Sequence, residues 1–345
     1  MHITLVDDSI SFDGFSPANR PLGGAEKAFA SLAGALVRRG HDVRVYNRAR
    51  FPLVIEGAHW ETLDKDFPAK TDVLVAFRKP SLLGSVRMAG RRVLWATASG
   101  RQLELARKAL DSFTPAVVFQ GLTQAQGFKD KGNLPLAVIP PGLRPEFMAD
   151  TANLPDDVPT AVVTTHPAHG LSWLLDLWTG MIRVAVPNAR LLVVSSALDK
   201  VNRGEDPPED LQAVAAKAIN AAAHGVEIVA PRHDAGMAEI YRKARVHLYP
   251  GHAEDMVCWT LAESQACGLP AVARGLGAVR ERIKDGQTGQ VVPDEAAFAN
   301  VAVQLLTNDD FFWGMSRDAR LLQRERSWDV AAADFDTLFK ANQQP

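Results

Sequence analysis

The chain has 345 residues, of which 47% are hydrophobic, and it carries a formal net charge of −2. That length and apolar content support two domains of ordinary size, each with its own core. The near-neutral charge gives no electrostatic case for nucleic-acid binding, so any anionic ligand must be met by local cations. No apolar run approaches the roughly 20 residues that span a bilayer, so we expect at most peripheral membrane contact.

The cysteines and the first residues bear on the compartment. Cys258 and Cys267 lie nine residues apart in one predicted helix, so they cannot easily meet and suggest neither a disulfide framework nor a metal site. The start carries Asp7 and Asp8 where a signal peptide would carry basic and then long apolar stretches. We therefore expect a reducing, cytoplasmic compartment.

Short apolar strands alternate with helical stretches in the first half of the chain. The periodicity predicts a helix over 25–39 that stops at Gly40. Strands are predicted, in chain order, at 3–6, 42–46, 73–76, 92–95, 116–119 and 137–139. This alternation is typical of a parallel α/β domain.

A polar segment with several prolines, residues 140–159, interrupts this rhythm, and a second α/β series follows it. Strands are predicted there at 160–164, 190–195, 226–230, 246–249 and 270–273. The domain boundary is therefore expected near residue 150. A last helix is predicted over 328–341.

Two carboxylates, Asp255 and Glu263, stand with seven residues between them at a predicted loop-to-helix junction. The helix is expected from about Val257, with Gly268 as its stop signal. A helix N-terminus offers free N–H groups and partial positive charge to a diphosphate, while flanking carboxylates can accept hydrogen bonds from hydroxyls. The spacing by itself is explained more simply by an ordinary amphipathic helix with solvated acids, and a sugar-nucleotide site is the alternative that only the residues further along the chain favour.

This segment resembles the E-x7-E motif of retaining GT-B glycosyltransferases of family 4, the glycosyl transferases group 1, with Asp255 in place of the first Glu. The similarity continues, in family order, through residues 266–273, 277–281 and 285–289. The resemblance implies two Rossmann-like α/β domains whose parallel sheets face a cleft. It places an acceptor domain over 1–150, a donor domain over 151–327, and a terminal helix over 328–345 that packs back on the first domain.

The resemblance also implies roles around the motif. Glu263 is expected to accept hydrogen bonds from the ribose, and Asp255 from the sugar. The loop of Met256, Val257 and Cys258 is expected to present its backbone to phosphate. Because Asp is one methylene shorter than Glu, the sugar must approach Asp255 more closely, differ in its hydroxyl pattern, or be bridged by water.

A second departure from the family lies after the first strand of the donor domain. Relatives place an Arg and a Lys there, in a pattern ending K-G-L or R-G-L, and this chain has His169 at the basic position. Charge builds on the leaving phosphate, and a His stabilises it fully only when protonated. Three outcomes stay open: a nearby diphosphate keeps His169 charged, Arg232 or Arg203 supplies the cation, or activity is lost. We assign His169 and Asp255 to the catalytic set.

The first domain offers a Gly-Gly pair before its first long helix. Gly23 and Gly24 let a backbone approach a ligand closely and expose N–H groups to an anion. The resemblance assigns them to the donor diphosphate or to the acceptor side, and an ordinary turn is the alternative. Glu26 is equally well explained as a first-turn acid of the helix.

Three further residues are weaker candidates, each with a plain structural alternative. Arg232 follows the strand over 226–230, near where relatives hold the nucleotide base, and is equally consistent with a solvated loop. Thr97 stands near the point where relatives often carry a His, and loop capping explains it as well. Arg78 follows the strand over 73–76, where it meets either an acceptor's charge or only water.

The function implied is retaining transfer of a sugar from a nucleoside-diphosphate sugar to a hydroxyl acceptor in glycan or glycoconjugate biosynthesis. UDP and GDP are the expected nucleotides, and the acceptor is a carbohydrate, a lipid-linked molecule or a small molecule. The resemblance implies no cofactor and no metal, with the leaving phosphate itself accepting the acceptor's proton.

Two alternatives share the fold. The first is a catalytically degenerate GT-B module that binds a sugar nucleotide or a partner protein, which the departures at Thr97, His169, Asp255 and Pro141 would suit. The second, a sugar-nucleotide 2-epimerase, would need acid and base groups that the sequence does not identify. A dehydrogenase is disfavoured because no G-x-G-x-x-G follows the first strand.

Overall fold

The computed structural model describes residues 1–129 and 134–341. The chain forms two compact units, one made of Met1–Arg144 with Arg326–Pro345 and the other of Pro145–Glu325. Each unit is a parallel β-sheet with helices packed on it, so the prediction of a two-domain parallel α/β fold is confirmed. No helix within the described residues is long and apolar enough to cross a bilayer.

The described residues contain fourteen strands, which build the two sheets. They are β1 His2–Val6, β2 Asp42–Asn47, β3 Leu53–Ile55, β4 Ala58–Thr62, β5 Lys70–Phe77, β6 Met88–Trp95, β7 Ala116–Phe119, β8 Leu136–Val138, β9 Thr160–Val163, β10 Arg190–Val194, β11 Val226–Val229, β12 Val246–Tyr249, β13 Ala271–Arg274 and β14 Gly289–Val292. The first sheet has the order β3-β4-β2-β1-β5-β6-β7-β8 and the second β11-β10-β9-β12-β13-β14. Within residues 1–129 and 134–341, β3 and β4 are the one antiparallel pair of strands.

Sixteen α-helical segments lie in the described part of the chain. They are α1 Ser16–Asn19, α2 Gly24–Arg38, α3 Gly100–Glu104, α4 Arg107–Phe113, α5 Leu122–Ala125, α6 Pro145–Met148, α7 Leu171–Leu177, α8 Arg183–Ala185, α9 Ser196–Asn202, α10 Gln212–Asn220, α11 Asp234–Lys243, α12 Trp259–Ala266, α13 Val279–Arg282, α14 Glu295–Thr307, α15 Asp309–Gln323 and α16 Trp328–Lys340. A π-helical segment, Trp178–Ile182, joins α7 to α8.

Three strands were not predicted from the sequence: β3, β4 and β14. All three lie at or beside a sheet edge, where a strand needs only part of an apolar pattern to pair. β14 also begins with Gly289, where a Cβ would lie 2.3 Å from the Ala271 carbonyl oxygen of β13. This glycine therefore allows two backbones to pair closely.

The last helix, α16, belongs to the first unit, where it packs against α2. The Ser327 hydroxyl caps its start by accepting from the Val330 N–H. On its buried face the Phe335 ring lies 5.1 Å from the Trp95 ring, edge to face. The buried Asp336 carboxylate accepts from Arg39 at 2.7 Å. Apolar burial and a charge-assisted hydrogen bond together hold this helix on the first unit.

Candidate functional site

The candidate site in the second unit is built from two loops that follow β9 and β12, which are neighbouring parallel strands. Both loops leave the carboxyl ends of their strands, where parallel α/β sheets collect ligands. The first loop carries His166 and His169, and it is folded by a turn in which the His169 N–H donates to the His166 carbonyl at 2.7 Å. The second loop carries His252 and Asp255.

His169 and Asp255 form a hydrogen-bonded pair. The His169 Nδ1 lies 2.7 Å from Asp255 Oδ1, although the residues are 86 positions apart. The hydroxyl of Tyr249, the last residue of β12, donates to Asp255 Oδ2 at 3.2 Å. The His169 and Asp255 side chains are only 24% and 13% exposed. Both carboxylate oxygens are thus engaged, and the imidazole is held with Nδ1 toward the acid and Nε2 left for other partners.

Two more imidazole rings lie against His169. The His252 ring stacks on it at a centroid distance of 4.2 Å with an interplanar angle of 14°. The His166 ring is 5.4 Å away. Partial burial and the neighbouring His169 charge both lower the pKa of His166. Three imidazole rings therefore lie together at the ends of the two loops, and Asp255 holds one of them, His169.

A glycine after β13 allows close backbone packing against the Asp255 loop. Gly277 follows β13 with φ of +58°, and a Cβ there would lie 2.5 Å from the carbonyl oxygens of both His252 and Asp255. The next residue, Ala278, donates its N–H to the Asp255 carbonyl at 2.8 Å. The Gly-Ala pair that carries part of the family resemblance therefore has a structural task, which is to let this loop pack on the backbone after β13.

The start of α12 follows this loop directly. Cys258 precedes the helix in a left-handed conformation with φ of +51°, which is uncommon for a residue other than glycine. Its thiol donates to the Asp255 carbonyl at 3.5 Å, and burial raises its pKa to about 12. Val257 is buried, and its carbonyl accepts from Arg282 at 2.7 Å. Met256 is half-buried. Cys258 is therefore a structural thiol. Its hydrogen bond to Asp255 and the bond from Arg282 to Val257 fix the loop of residues 255–258 in place.

Glu263 lies one turn inside α12 and is only 6% exposed. It is close enough to Tyr241 and Cys267 that its charge helps to raise the pKa of both groups, after the larger effect of burial. The carboxylate predicted to meet a ribose is therefore a buried group at the helix start.

A chain of buried polar groups ties the two loops to α12. His247, on β12 and fully buried, has Nε2 3.0 Å from the Thr164 hydroxyl and Nδ1 2.8 Å from the Ser264 hydroxyl. Thr164 is in turn 2.8 Å from the Thr260 hydroxyl. Burial lowers the His247 pKa to about 3, so the ring is neutral and bridges the hydroxyls as one donor and one acceptor.

The other cations considered in the second unit have different surroundings. Arg232 is 55% exposed and lies 3.9 Å from the Glu239 carboxylate. Arg203 caps the end of α9 and pairs with Asp199 of that helix at 2.9 Å. Neither contact involves His169 or Asp255. Of the predicted site residues, the structure therefore pairs His169 with Asp255, whereas Arg232 lies in a solvated ion pair with Glu239.

In the first unit, Gly23 precedes α2 and Gly24 begins it. Glu26 lies in the first turn and pairs with Arg78, whose Nε is also 3.7 Å from the buried Asp7 carboxylate. Burial raises the pKa of Asp7, against the lowering effects of Ser9 and Arg78. Carboxylates of the same unit therefore neutralise the charge of Arg78. The sequence had suggested either an acceptor's charge or water as its partner, and neither interpretation included these carboxylates.

The remaining first-unit candidates lie nearby in sequence. Lys79 pairs with Asp8 at 2.8 Å. Thr97 is half-buried in the loop after β6, and Ser99 forms a capping box with Gln102 at the start of α3. The capping alternative thus holds for Ser99.

Sequence reasoning missed Tyr249, His252 and His247. Tyr249 and His247 were inside a predicted strand and therefore counted as core, and nothing in the local pattern marks a strand residue as facing a polar partner. His252 stands in Pro250-Gly251-His252, a turn signal directly after a strand. The available signal was a histidine near the carboxyl end of a strand, three residues before Asp255, which was already a predicted site residue.

Residues 160–308 match the family described as glycosyl transferases group 1, and this segment lies within the second unit. The second unit is a group 1 glycosyltransferase domain. It holds His169, Asp255 and Glu263, so the predicted resemblance to this family is confirmed on the part of the chain that carries the candidate site.

Curated relatives support the same family. The chain is 32% identical over 176 residues to the phosphatidyl-myo-inositol mannosyltransferase of Mycobacterium leprae, which is 50% of this chain and 43% of that protein. It is 30% identical over 109 residues to the D-inositol 3-phosphate glycosyltransferase of Gordonia bronchialis, which is 31% of this chain and 24% of that protein. The chain thus spans less than half the length of each of these relatives.

Solved structures show the fold across nearly the whole chain. The sucrose-phosphate synthase of Thermosynechococcus elongatus is similar with a TM-score of 0.75 at 16% identity, covering 98% of each chain. The Anabaena protein HepE, solved with UDP and glucose, has a TM-score of 0.72 at 14% identity, covering 98% of this chain and 99% of that one. The group 1 domain is therefore part of a GT-B fold.

Proposed function

We propose that this group 1 glycosyltransferase transfers a sugar from a nucleoside-diphosphate sugar to a hydroxyl acceptor, with retention and without a metal in the transfer step. The observation that carries the proposal is the His169–Asp255 pair at 2.7 Å, which stands within the matched segment at the family's cation position and first motif position. The two side chains come from loops after neighbouring strands, and both are polar and partly exposed.

His169 takes the part that Arg or Lys plays in relatives. Asp255 accepts from Nδ1–H, which fixes the orientation of the ring and leaves Nε2 for the diphosphate. Nε2–H then donates to the leaving diphosphate as negative charge builds on it. A preoriented cationic donor in a partly buried site stabilises such charge strongly, because little reorganisation is needed during the reaction.

The α12 start supplies the rest of the donor site. The Met256–Cys258 loop and the first N–H groups of the helix lie beside the His169–Asp255 pair and provide donors for phosphate oxygens. Glu263, one turn further on, accepts from the ribose hydroxyls once the nucleotide reaches it. In the first unit, Gly23 and Gly24 remain candidates for contact with the substrate.

UDP and GDP are the proposed nucleotides, and the structural neighbour HepE was solved with UDP and glucose and with UDP-glucose. The acceptor is proposed to be a carbohydrate, a lipid-linked molecule or a small polyol. The relatives named for phosphatidyl-myo-inositol and inositol 3-phosphate favour testing an inositol-containing acceptor first.

One observation favours the alternative of a sugar-nucleotide-binding module without transfer. Asp255 already accepts from His169 and Tyr249, one at each oxygen. A sugar hydroxyl must therefore share an occupied oxygen or displace the tyrosine. If it does neither, the diphosphate binds while the sugar stays out of reach.

A nucleotide screen separates these functions. Thermal shift and donor turnover would be measured with UDP-, GDP- and ADP-sugars for the natural chain, for Glu263→Gln and for Glu227→Gln, an exposed carboxylate on β11. We expect stabilisation by one nucleotide class, loss of that stabilisation in Glu263→Gln, and no change in Glu227→Gln. Stabilisation without turnover, with an inositol acceptor present, would favour the binding module. A shift that Glu263→Gln leaves intact would refute the proposed donor site.

A further inference from the structure

We propose that His169, His252 and Glu254 form a binding site for a divalent first-row transition ion of the zinc class. One potential ligand atom from each residue lies within 4.8 Å of the corresponding atoms of the other two. The three residues come from the loops after β9 and β12, so the tertiary structure, and not local sequence spacing, assembles the set. The proposal goes beyond the transfer reaction, which it does not require.

The chemistry of the donor set selects the class of ion. Two imidazoles and one carboxylate suit Zn²⁺ and its first-row neighbours, whereas Mg²⁺ prefers oxygen ligands alone and keeps its waters. Three protein ligands leave at least one coordination position for water or another small ligand. His169 and His252 are half-buried and Glu254 is exposed, so an ion can enter from solvent.

A second observation points to the same site. Metal-ligating histidines almost always donate their other ring nitrogen to a carboxylate or carbonyl, which fixes the tautomer and the ring orientation. His169 has this arrangement already, because its Nδ1 lies 2.7 Å from Asp255 Oδ1. Tyr249 in turn holds the other oxygen of Asp255. Nε2 of His169 is thus presented as a ligand nitrogen by an oriented carboxylate.

Coordination requires the two stacked rings to rearrange. Because the His169 and His252 rings are nearly parallel, their in-plane lone pairs do not converge, so the His252 ring must turn out of the stack while Asp255 holds His169. Zn–N and Zn–O bonds of about 2.0–2.2 Å then bring the ligand atoms to roughly 3.3 Å from one another. The Glu254 N–H now donates to His252 Nδ1 at 3.2 Å, and coordination through Nε2 would move the ring proton to Nδ1 and end that bond. Glu254 is exposed on a loop and can adjust with little cost.

The test is direct metal binding by the full chain, freed of any purification tag and without nucleotide. Zn²⁺ affinity would be measured by competition with a fluorescent chelator, and coordination by the visible absorption of Co²⁺ bound in place of Zn²⁺. We expect one ion per chain and a Co²⁺ spectrum typical of low coordination number. His252→Ala and, separately, Glu254→Gln should each weaken binding at least about tenfold.

Two further variants separate ligation from general effects. His224→Ala, an exposed histidine of the same unit, should leave affinity unchanged. Asp255→Asn should weaken binding about tenfold or more through the loss of its hold on His169. Circular dichroism confirms that each variant is folded. The proposal is overturned if no stoichiometric ion binds, if His224→Ala weakens binding as much as His252→Ala does, or if a hundredfold excess of Mg²⁺ displaces the ion.

Discussion

The two units place charged side chains at the carboxyl ends of their strands in opposite ways. In the first unit, Arg78 is surrounded by Glu26 and the buried Asp7, and the charges are neutralised inside the protein. In the second, His169 faces one carboxylate through one nitrogen and keeps the other nitrogen for a ligand. The two strand-end groups therefore differ in whether the protein itself satisfies both sides of the charged group.

The largest expected effect tests whether Arg78 and its two carboxylate partners, Glu26 and Asp7, stabilise the folded first unit. Arg78→Ala removes the cation between two buried carboxylates and should lower the free energy of unfolding by about 3–5 kcal/mol. Urea denaturation of the full chain measures it. Lys79→Ala, which breaks only the partly exposed pair with Asp8, should cost less than about 1 kcal/mol. Equal losses in the two variants would mean that burial of the Arg78 group does not matter.

The second prediction concerns the His169–Asp255 pair as a unit. Asp255→Asn should lower kcat/KM for the donor found in the screen by about a hundredfold or more, because the ring loses its orientation and its counter-charge. His169→Gln should lose a similar amount, and the double variant little more than either. Glu227→Gln is the matched carboxylate control. Additive losses in the double variant would show that the two residues act independently.

The third prediction follows from the neutral His247. Its pKa is about 3 in the folded protein and about 6.5 in the unfolded chain, so between these values the unfolded state binds the extra proton. Stability should therefore fall by about 1.4 kcal/mol per pH unit as pH drops below 6.5, and be unaffected by this group above it. Urea unfolding at about pH 7.5 and about pH 5 measures the slope. His247→Gln should lose this contribution, and an unchanged slope would contradict it.

The smallest effect connects the metal site to transfer. A Zn²⁺ ion on Nε2 of His169 would remove the proton donor proposed for the leaving phosphate, so saturating Zn²⁺ should slow transfer about tenfold, the effect of about 1.4 kcal/mol. Initial rates with and without Zn²⁺ measure it. His252→Ala should relieve the inhibition and His224→Ala should not. Inhibition that persists unchanged in His252→Ala would place the inhibitory ion elsewhere.

Prediction of the fold from sequence succeeded where a strand is buried on both faces. The apolar runs at β1, β7, β9 and β12 are fully or almost fully buried, so their composition alone identifies them. β3 and β4 pair at the edge of the first sheet and carry exposed residues, which weakens the pattern. β14 is a short edge strand that begins with a glycine, and the apolar pattern did not identify it.

Prediction of the site had a similar limit. Asp255 and His169 each stood out as departures from a motif, but no local pattern indicated that the two compensate one another. Their hydrogen bond joins residues 86 positions apart. Arg78 shows the converse case, since its position at a strand end suggested a ligand contact while Glu26, 52 residues away, already met its charge.

By itself the sequence determined the parallel α/β fold, the family resemblance of the second unit, and the loop-to-helix junction around Asp255, because strand burial, glycine positions and motif spacing are local properties of a chain. Only the tertiary structure decided which polar groups face one another: His169 with Asp255 and His252, His247 with the hydroxyls beneath them, and Arg78 with the acids of its own unit. The physical reason is that the strength of a charge or a hydrogen bond depends on its partner and its burial, and both are set by strands and loops brought together from distant parts of the chain.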